Sequence, residues 1–312
     1  MRHTLDIQRR RLLMATAAIA ASGALPRQAA AAATDSALHT RPIPVSGEAL
    51  PIIGIGTAVI FDFENDAAKF AERRAVIETL IAGGGKLIDT AHAYGRAEDR
   101  VGELVAELGV REKLFLATKF SYGDSRAAAT ESMQRSLQRL KTNRVDLMQA
   151  WNVADEKYDL GLLREWKRQG LCRYTGMTIS QARSYDAIGK VLAREKPDFF
   201  QVNYSLGDRE AEERLLPMAR DAGAAVLINL PFGRNSLFRK SAGKPLPDFA
   251  AEFGATSWAQ IFLKFILSHP AVTAVIPGTD KPEYMVDNLK AGRGAMPDAA
   301  LRQRIIRYWE SL

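Results

Sequence analysis

Lys86-Leu87-Ile88-Asp89-Thr90, entered from Gly83-Gly84-Gly85, is an apolar burst of strand length that ends on polar side chains. The three glycines suit the stop of a preceding helix. Working outward from this run, the same unit recurs. Bursts at 51–56, 86–90, 114–119, 145–150, 173–178, 199–203, 225–229 and 272–276 alternate with amphipathic stretches. Among those stretches, 127–140 sets Met133, Leu137 and Leu140 at helical spacing, and 258–267 carries Ile261, Phe262, Phe265 and Ile266. Strands alternating with helices predict a parallel sheet under covering helices. Eight such units over about 260 residues give an α/β chain folded as a (β/α)₈ TIM barrel in a single domain. A doubly wound sheet would announce itself by G-x-G-x-x-G after its first strand. Here the run Gly54-Ile55-Gly56-Thr57-Ala58-Val59 lacks the third glycine.

The 312-residue chain is 47% hydrophobic and 25% charged, enough for one large core. Its formal charge of +7 is unevenly placed: residues 1–33 hold five Arg against one Asp, which leaves +3 spread over the remainder without basic blocks. No nucleic-acid footprint follows from that distribution. The single Cys172 excludes an internal disulfide, and His3, His39, His92 and His269 show no metal-ligand spacing. No metal site is expected.

Arg9-Arg10-Arg11-Leu12-Leu13 precedes a short Ala-rich apolar run, then Pro26, Arg27 and an alanine tract at 29–33. A basic start, a weakly apolar stretch and small residues at a cleavage site mark residues 1–33 as an export signal. The paired arginines resemble the twin-arginine class, which exports folded proteins. A periplasmic or secreted location is expected, with no stable membrane anchor after cleavage, because the apolar run is too short to span a bilayer. Residues 34–48 read as a flexible lead-in and 49–312 as the barrel.

In such barrels the reacting groups sit at the carboxyl ends of strands. Asp89 and Tyr94 follow the second burst and Lys119 closes the third. A phenol can hand its proton to a carbonyl as hydride arrives, a neighbouring ammonium favours the phenolate, and a carboxylate behind the Lys keeps it charged and aimed. The long segment 231–253 after the seventh burst is placed where a lid belongs. With the tail after Met296, it is expected to shape the pocket.

Leu50-Pro51-Ile52-Ile53-Gly54-Ile55-Gly56-Thr57, Leu87-Ile88-Asp89-Thr90-Ala91-His92-Ala93-Tyr94-Gly95, Lys141-Thr142-Asn143-Arg144-Val145-Asp146-Leu147-Met148-Gln149, Phe200-Gln201-Val202-Asn203-Tyr204-Ser205 and Ile276-Pro277-Gly278-Thr279 together resemble the aldo/keto reductase family, in order and spacing, from about residue 50 to the end. The resemblance implies NADP(H), with NAD(H) as the alternative, bound across the barrel mouth, and hydride transfer to a small carbonyl substrate. It implies catalytic roles for Asp89, Tyr94 and Lys119, and cofactor contacts from Gly56, Thr57, Thr178, Gln201, Asn229, Pro231, Gly233, Thr279, Lys281, Asp287 and Asn288. It also marks departures. Trp151 stands where the family places a fourth catalytic residue, a His, and an indole N–H can donate one hydrogen bond but cannot ionise or accept. Ile179 falls at a position of the carboxamide-binding pair, Asn229 at that of an aromatic stacked on nicotinamide, and Tyr284 at that of an Arg on the 2′-phosphate. Two other readings stay open: a nucleotide- or ligand-binding barrel without useful turnover, and a sugar-processing barrel drawing on Glu98 or Asp99 as a second carboxylate.

Overall fold

The computed structural model describes residues 37–121 and 125–312. The export signal expected at 1–33 lies outside the described residues. Leu38–Leu312 forms one compact unit. In chain order its elements are β1 (Thr40–Pro42), β2 (Ala49–Pro51), β3 (Ile55–Gly56), α1 (Ala67–Ala82), β4 (Leu87–Asp89), α2 (Ala97–Leu108), β5 (Phe115–Phe120), α3 (Arg126–Arg139), β6 (Val145–Ala150), α4 (Gly161–Arg168), β7 (Cys172–Ile179), α5 (Tyr185–Glu195), β8 (Phe199–Asn203), α6 (Glu210–Glu213), α7 (Leu215–Asp221), β9 (Ala225–Asn229), α8 (Ser236–Ser241), α9 (Trp258–Leu267), β10 (Ala274–Val275), α10 (Pro282–Ala291) and α11 (Ala299–Ser311). Side-chain oxygens start several helices where the chain leaves extended backbone: Asp66 caps α1, Ser125 α3, Ser257 α9 and Asp298 α11.

Strands β3 to β10 lie parallel, each beside its sequence neighbours. Bridges Ile53 to Val275 and Gly56 to Gly278 join the first strand to the last and close the barrel. Gly56 permits this closure, since a β-carbon there would lie 2.9 Å from the Ile276 carbonyl oxygen. The period of two along each strand sorts the barrel interior into layers. Leu87, Phe115, Leu147, Tyr174, Phe199, Ala225 and Ala274 fill the lower part. Two residues further along three of these strands stand Asp89, Gln149 and Gln201, whose side chains meet, a polar cluster in a layer that also holds Ala117, Leu227 and Ile276.

Two expectations change. The stretch 34–48 is not loose over its second half: Thr40–Pro42 pairs antiparallel with Ala49–Pro51, and Ile43 and Leu50, both fully buried, plug the bottom of the barrel against Leu87 and Phe115. An open barrel end exposes apolar interior, and these two side chains cover it. Arg41 fastens the same hairpin to the carbonyls of Leu267, His269 and Val272, where α9 ends. The other change concerns 231–253. Phe238 packs on Phe262 with ring centres 5.6 Å apart, Lys240 Nζ donates to the Trp309 carbonyl at 2.8 Å, and Trp258 Nε1 donates to the Lys244 carbonyl at 3.1 Å. Aromatic burial against α9 and α11 holds this segment on the barrel's flank, so beyond Asn235 none of it lines the cleft, and neither does the tail after Met296.

Candidate active site

At the carboxyl ends of the strands opens a cleft of about 770 Å³, within the range of small-molecule sites. Asp89 ends β4 on its floor. Lys119 on β5, 1% exposed, donates to Asp89 Oδ2 at 2.6 Å and to the Thr90 carbonyl at 2.8 Å. The other carboxylate oxygen accepts the side-chain amides of Gln149 at 3.2 Å and Gln201 at 3.0 Å. Gly176 leaves the room that Gln149 needs, because a β-carbon there would lie 2.9 Å from Gln149 Cγ. Burial alone would push the Lys119 ammonium down, but Asp89 and Tyr94 facing it outweigh that effect and hold its pKa above the ordinary lysine value. Its Nζ lies 4.9 Å from the centre of the Tyr94 ring. Tyr94 sits in the turn that leads into α2, half-buried, with its side of the turn on the cleft.

Trp151, just past β6, also lines the cleft. Its indole meets His92 edge to face, ring centres 5.2 Å apart and planes at 87°. His92 is fixed in turn by the Lys119 carbonyl at 3.1 Å from Nδ1 and the Ser121 hydroxyl at 2.9 Å from Nε2. A carbonyl oxygen only accepts, so Nδ1 carries the proton.

The cofactor candidates divide. Gly56, Thr57, Thr178, Asn229 and Pro231 line the cleft, and Gly233 lies in the turn between the lining residues Phe232 and Arg234. Thr57 directs both its backbone N–H and its hydroxyl to the Asp89 carbonyl, each at 3.0 Å. Gln201 is likewise occupied by Asp89. Asn229 Oδ1, by contrast, is buried without a hydrogen-bond partner. Thr279, Lys281, Asp287 and Asn288 stand outside the lining. Asn288 donates to the Thr279 hydroxyl at 2.9 Å, Asp287 accepts from Ser257 and Gln260, each at 2.6 Å, and Lys281 lies 5.8 Å from the Tyr284 ring centre.

The structure adds residues that sequence reading passed over. Ser180 lines the cleft one residue beyond Ile179, its backbone N–H and hydroxyl on Asn152 Oδ1 at 3.2 and 3.1 Å. Ile179 itself is fully buried. Arg234 and Asn235 line the turn after β9 with φ of 52° and 68°, and Arg234 belongs to no ion pair among the described residues. Val59 and Leu230, also on the lining, share this left-handed backbone at 68° and 49°, strain of the kind that gathers at functional sites. Positive φ at non-glycine residues leaves no mark in a sequence, which is why these were missed. Glu98, weighed as a second carboxylate, is fully buried behind β5 and accepts the Thr118 hydroxyl at 2.6 Å. Burial, against the Thr118 hydroxyl and the nearby Arg139 charge, pushes its pKa up. Among the described residues no group of three or more His, Cys, Asp or Glu is placed to hold a metal ion.

The aldo/keto reductase family model matches residues 52–303. Aldo-keto reductase str7 of Strobilurus tenacellus is 27% identical over 260 residues, which cover 70% of this chain and 76% of that protein. Methylglyoxal reductase YeaE of Escherichia coli is 28% identical over 250 residues, covering 76% and 84%. Among solved structures, an aldo-keto reductase from Klebsiella pneumoniae in complex with NADPH superposes with a TM-score of 0.73 at 24% identity, over 87% of this chain and 95% of that one. A family model spanning most of the barrel, relatives aligned along its length and a barrel of the same topology agree: the chain belongs to the aldo/keto reductase family, a family of oxidoreductases.

Proposed function

We propose that this protein reduces small aldehydes or ketones with NADP(H), Tyr94 giving the proton. One observation carries the reading: the Lys119 ammonium, fixed 2.6 Å from Asp89, faces the Tyr94 ring at the floor of a cleft open to substrate. The residues present fit a nicotinamide dinucleotide. Among the described residues Asn229 Oδ1 is a buried acceptor without a partner, on a residue of the lining, and suits a carboxamide N–H, while Arg234, in no ion pair among them, offers its cation to phosphate. The dinucleotide, when bound, supplies hydride to the carbonyl carbon. The chain's own part is to aim the carbonyl and protonate its oxygen: Tyr94 releases its phenolic proton, and Lys119 holds the phenolate that remains. Trp151 lines the same cleft, and its indole N–H makes no hydrogen bond among the described residues, so in this reading it orients the carbonyl oxygen as a donor in the place of an imidazole. Single-turnover mixing of NADPH-loaded protein with reactive aldehydes tests this reading. Loss of the nicotinamide absorbance, matched by alcohol formed, is the expected result. No oxidation across a broad aldehyde, ketone and quinone panel would overturn it in favour of a nucleotide-binding barrel.

Export in folded form through the twin-arginine route belongs to the same reading, supported by Arg9-Arg10 and the weakly apolar run that follows. A cofactor loaded before export would travel with the protein. Replacing both arginines with Lys should retain the precursor in the cytoplasm, and unchanged export would remove the route.

A further inference from the structure

The rim of the cleft carries a carboxylate with no part in the reaction described above. Asp62 stands on the loop between β3 and α1 and lines the cleft together with Tyr94 and Gly95. Its carboxylate lies flat on Gly95: a β-carbon on that glycine would overlap the carboxylate carbon and both oxygens. Gly95 also adopts φ 56°, so the position after Tyr94 takes glycine for two reasons, its left-handed backbone and the room the carboxylate needs. Oδ1 accepts the Arg96 backbone N–H at 3.0 Å, and no described group donates to Oδ2. The Arg96 guanidinium is turned to Glu64 at 2.8 Å, so Asp62 belongs to no ion pair among the described residues.

The cleft it lines also carries apolar side chains, among them Val59 and Ile60 on the same loop and Trp151 and Phe232 elsewhere on the lining. Val59, 84% exposed with φ 68°, is an apolar side chain held toward solvent at a strained position. Asp62 is exposed at the rim, with the Arg96 charge nearby but turned to Glu64, so its charge acts at the mouth of the cleft through partly screened, salt-dependent electrostatics. The remaining charges on the lining are accounted for: Asp89 is neutralised by Lys119, and Arg234 lies in the turn after β9 that the functional reading gives to phosphate. Resting on that reading, we propose that Asp62 sets the charge preference of the cleft. It favours carbonyl compounds that carry a positive charge away from the reacting carbonyl, and it holds off those that carry a carboxylate.

The test compares kcat/KM for benzaldehyde, 4-carboxybenzaldehyde and 4-(trimethylammonio)benzaldehyde in wild type and Asp62→Asn, with NADPH at low ionic strength. Each aldehyde's intrinsic reactivity is common to both proteins, so the readout is the change on substitution relative to benzaldehyde. Asparagine keeps an oxygen for the Arg96 N–H and removes only the charge. The cationic aldehyde should lose about three- to fivefold and the carboxylate gain a similar factor, both effects shrinking as salt is added. Equal selectivity in the two proteins overturns the proposal. Calorimetric binding of the corresponding benzyl alcohols needs no turnover and separates the two readings. Charge-ordered binding that Asp62→Asn abolishes, with no aldehyde reduced, supports the role of Asp62 and overturns the reductase reading. Turnover with charge-blind rates and binding overturns the role of Asp62 alone.

Discussion

His92 stands edge-on to Trp151, ring centres 5.2 Å apart, and its Nδ1–H holds the carbonyl of Lys119. A single imidazole thus touches two of the four residues assigned to the reaction centre. Burial, opposed by the Lys119 carbonyl and joined by the charges of Lys119, Arg139 and Arg135, pushes the His92 pKa below its ordinary 6.5. An unfolded chain protonates this side chain at about 6.5, whereas the folded chain does so only at lower pH. The unfolded state therefore binds more protons between those two values, and stability falls as pH drops through that window. The thermal midpoint of wild type should decline between about pH 7.5 and 5 more steeply than that of His92→Gln, which has nothing to titrate there. Parallel profiles would show that His92 is not coupled to folding.

Tyr94→Phe should abolish carbonyl reduction while leaving dinucleotide affinity nearly intact, because the phenol acts on substrate. Fluorescence titration with NADPH and single-turnover kinetics measure the two separately. Turnover like that of wild type would remove Tyr94 from its role.

Trp151 can orient a carbonyl but supplies no proton, so wild type should reduce small reactive carbonyls slowly. Trp151→His restores an ionisable group and should raise the hydride-transfer rate constant by about tenfold or more. An unchanged rate would mean that residue 151 only packs the cleft wall.

The buried pair at the floor predicts unequal mutants. Asp89→Leu leaves the Lys119 ammonium without its carboxylate, facing only the Thr90 carbonyl and neutral Tyr94, and should cost about 3–5 kcal/mol, the penalty of a buried charge that has lost its counter-ion. Lys119→Met leaves the Asp89 carboxylate with the amides of Gln149 and Gln201 and should cost less. Urea unfolding of both mutants gives the order, and a reversed order would contradict this account.

Arg41 donates to three carbonyls at and beyond the end of α9, where the helix dipole is negative. Arg41→Met should lower stability by roughly 1.5–3 kcal/mol through the loss of charged hydrogen bonds. The denaturation midpoint should fall with an unchanged slope, since the same surface is exposed on unfolding.

Periodicity alone determined much of this molecule. Strands and helices repeat a local pattern of burial, so the eight bursts and the two helices read from apolar spacing recur in the barrel, the first and last bursts shortened to Ile55–Gly56 and Ala274–Val275, and Asp89 and Lys119 fall at or near strand ends because a polar residue closing an apolar run marks where the core stops. Tertiary structure decided the rest. Thr40–Pro51 looks polar and irregular, and only the exposed barrel bottom makes Ile43 and Leu50 a plug. The segment 231–253 carries lid-like composition, yet its aromatics find partners on α9 and α11 that lie far along the chain. Gln149 and Gln201 converge on Asp89 because the barrel closes, across 60 and 112 positions of sequence. Asp62 reaches the cleft only because Gly95 leaves room for it. Local sequence encodes which residues face inward; which of them meet is set by closure of the barrel, which couples positions with no shared local signal.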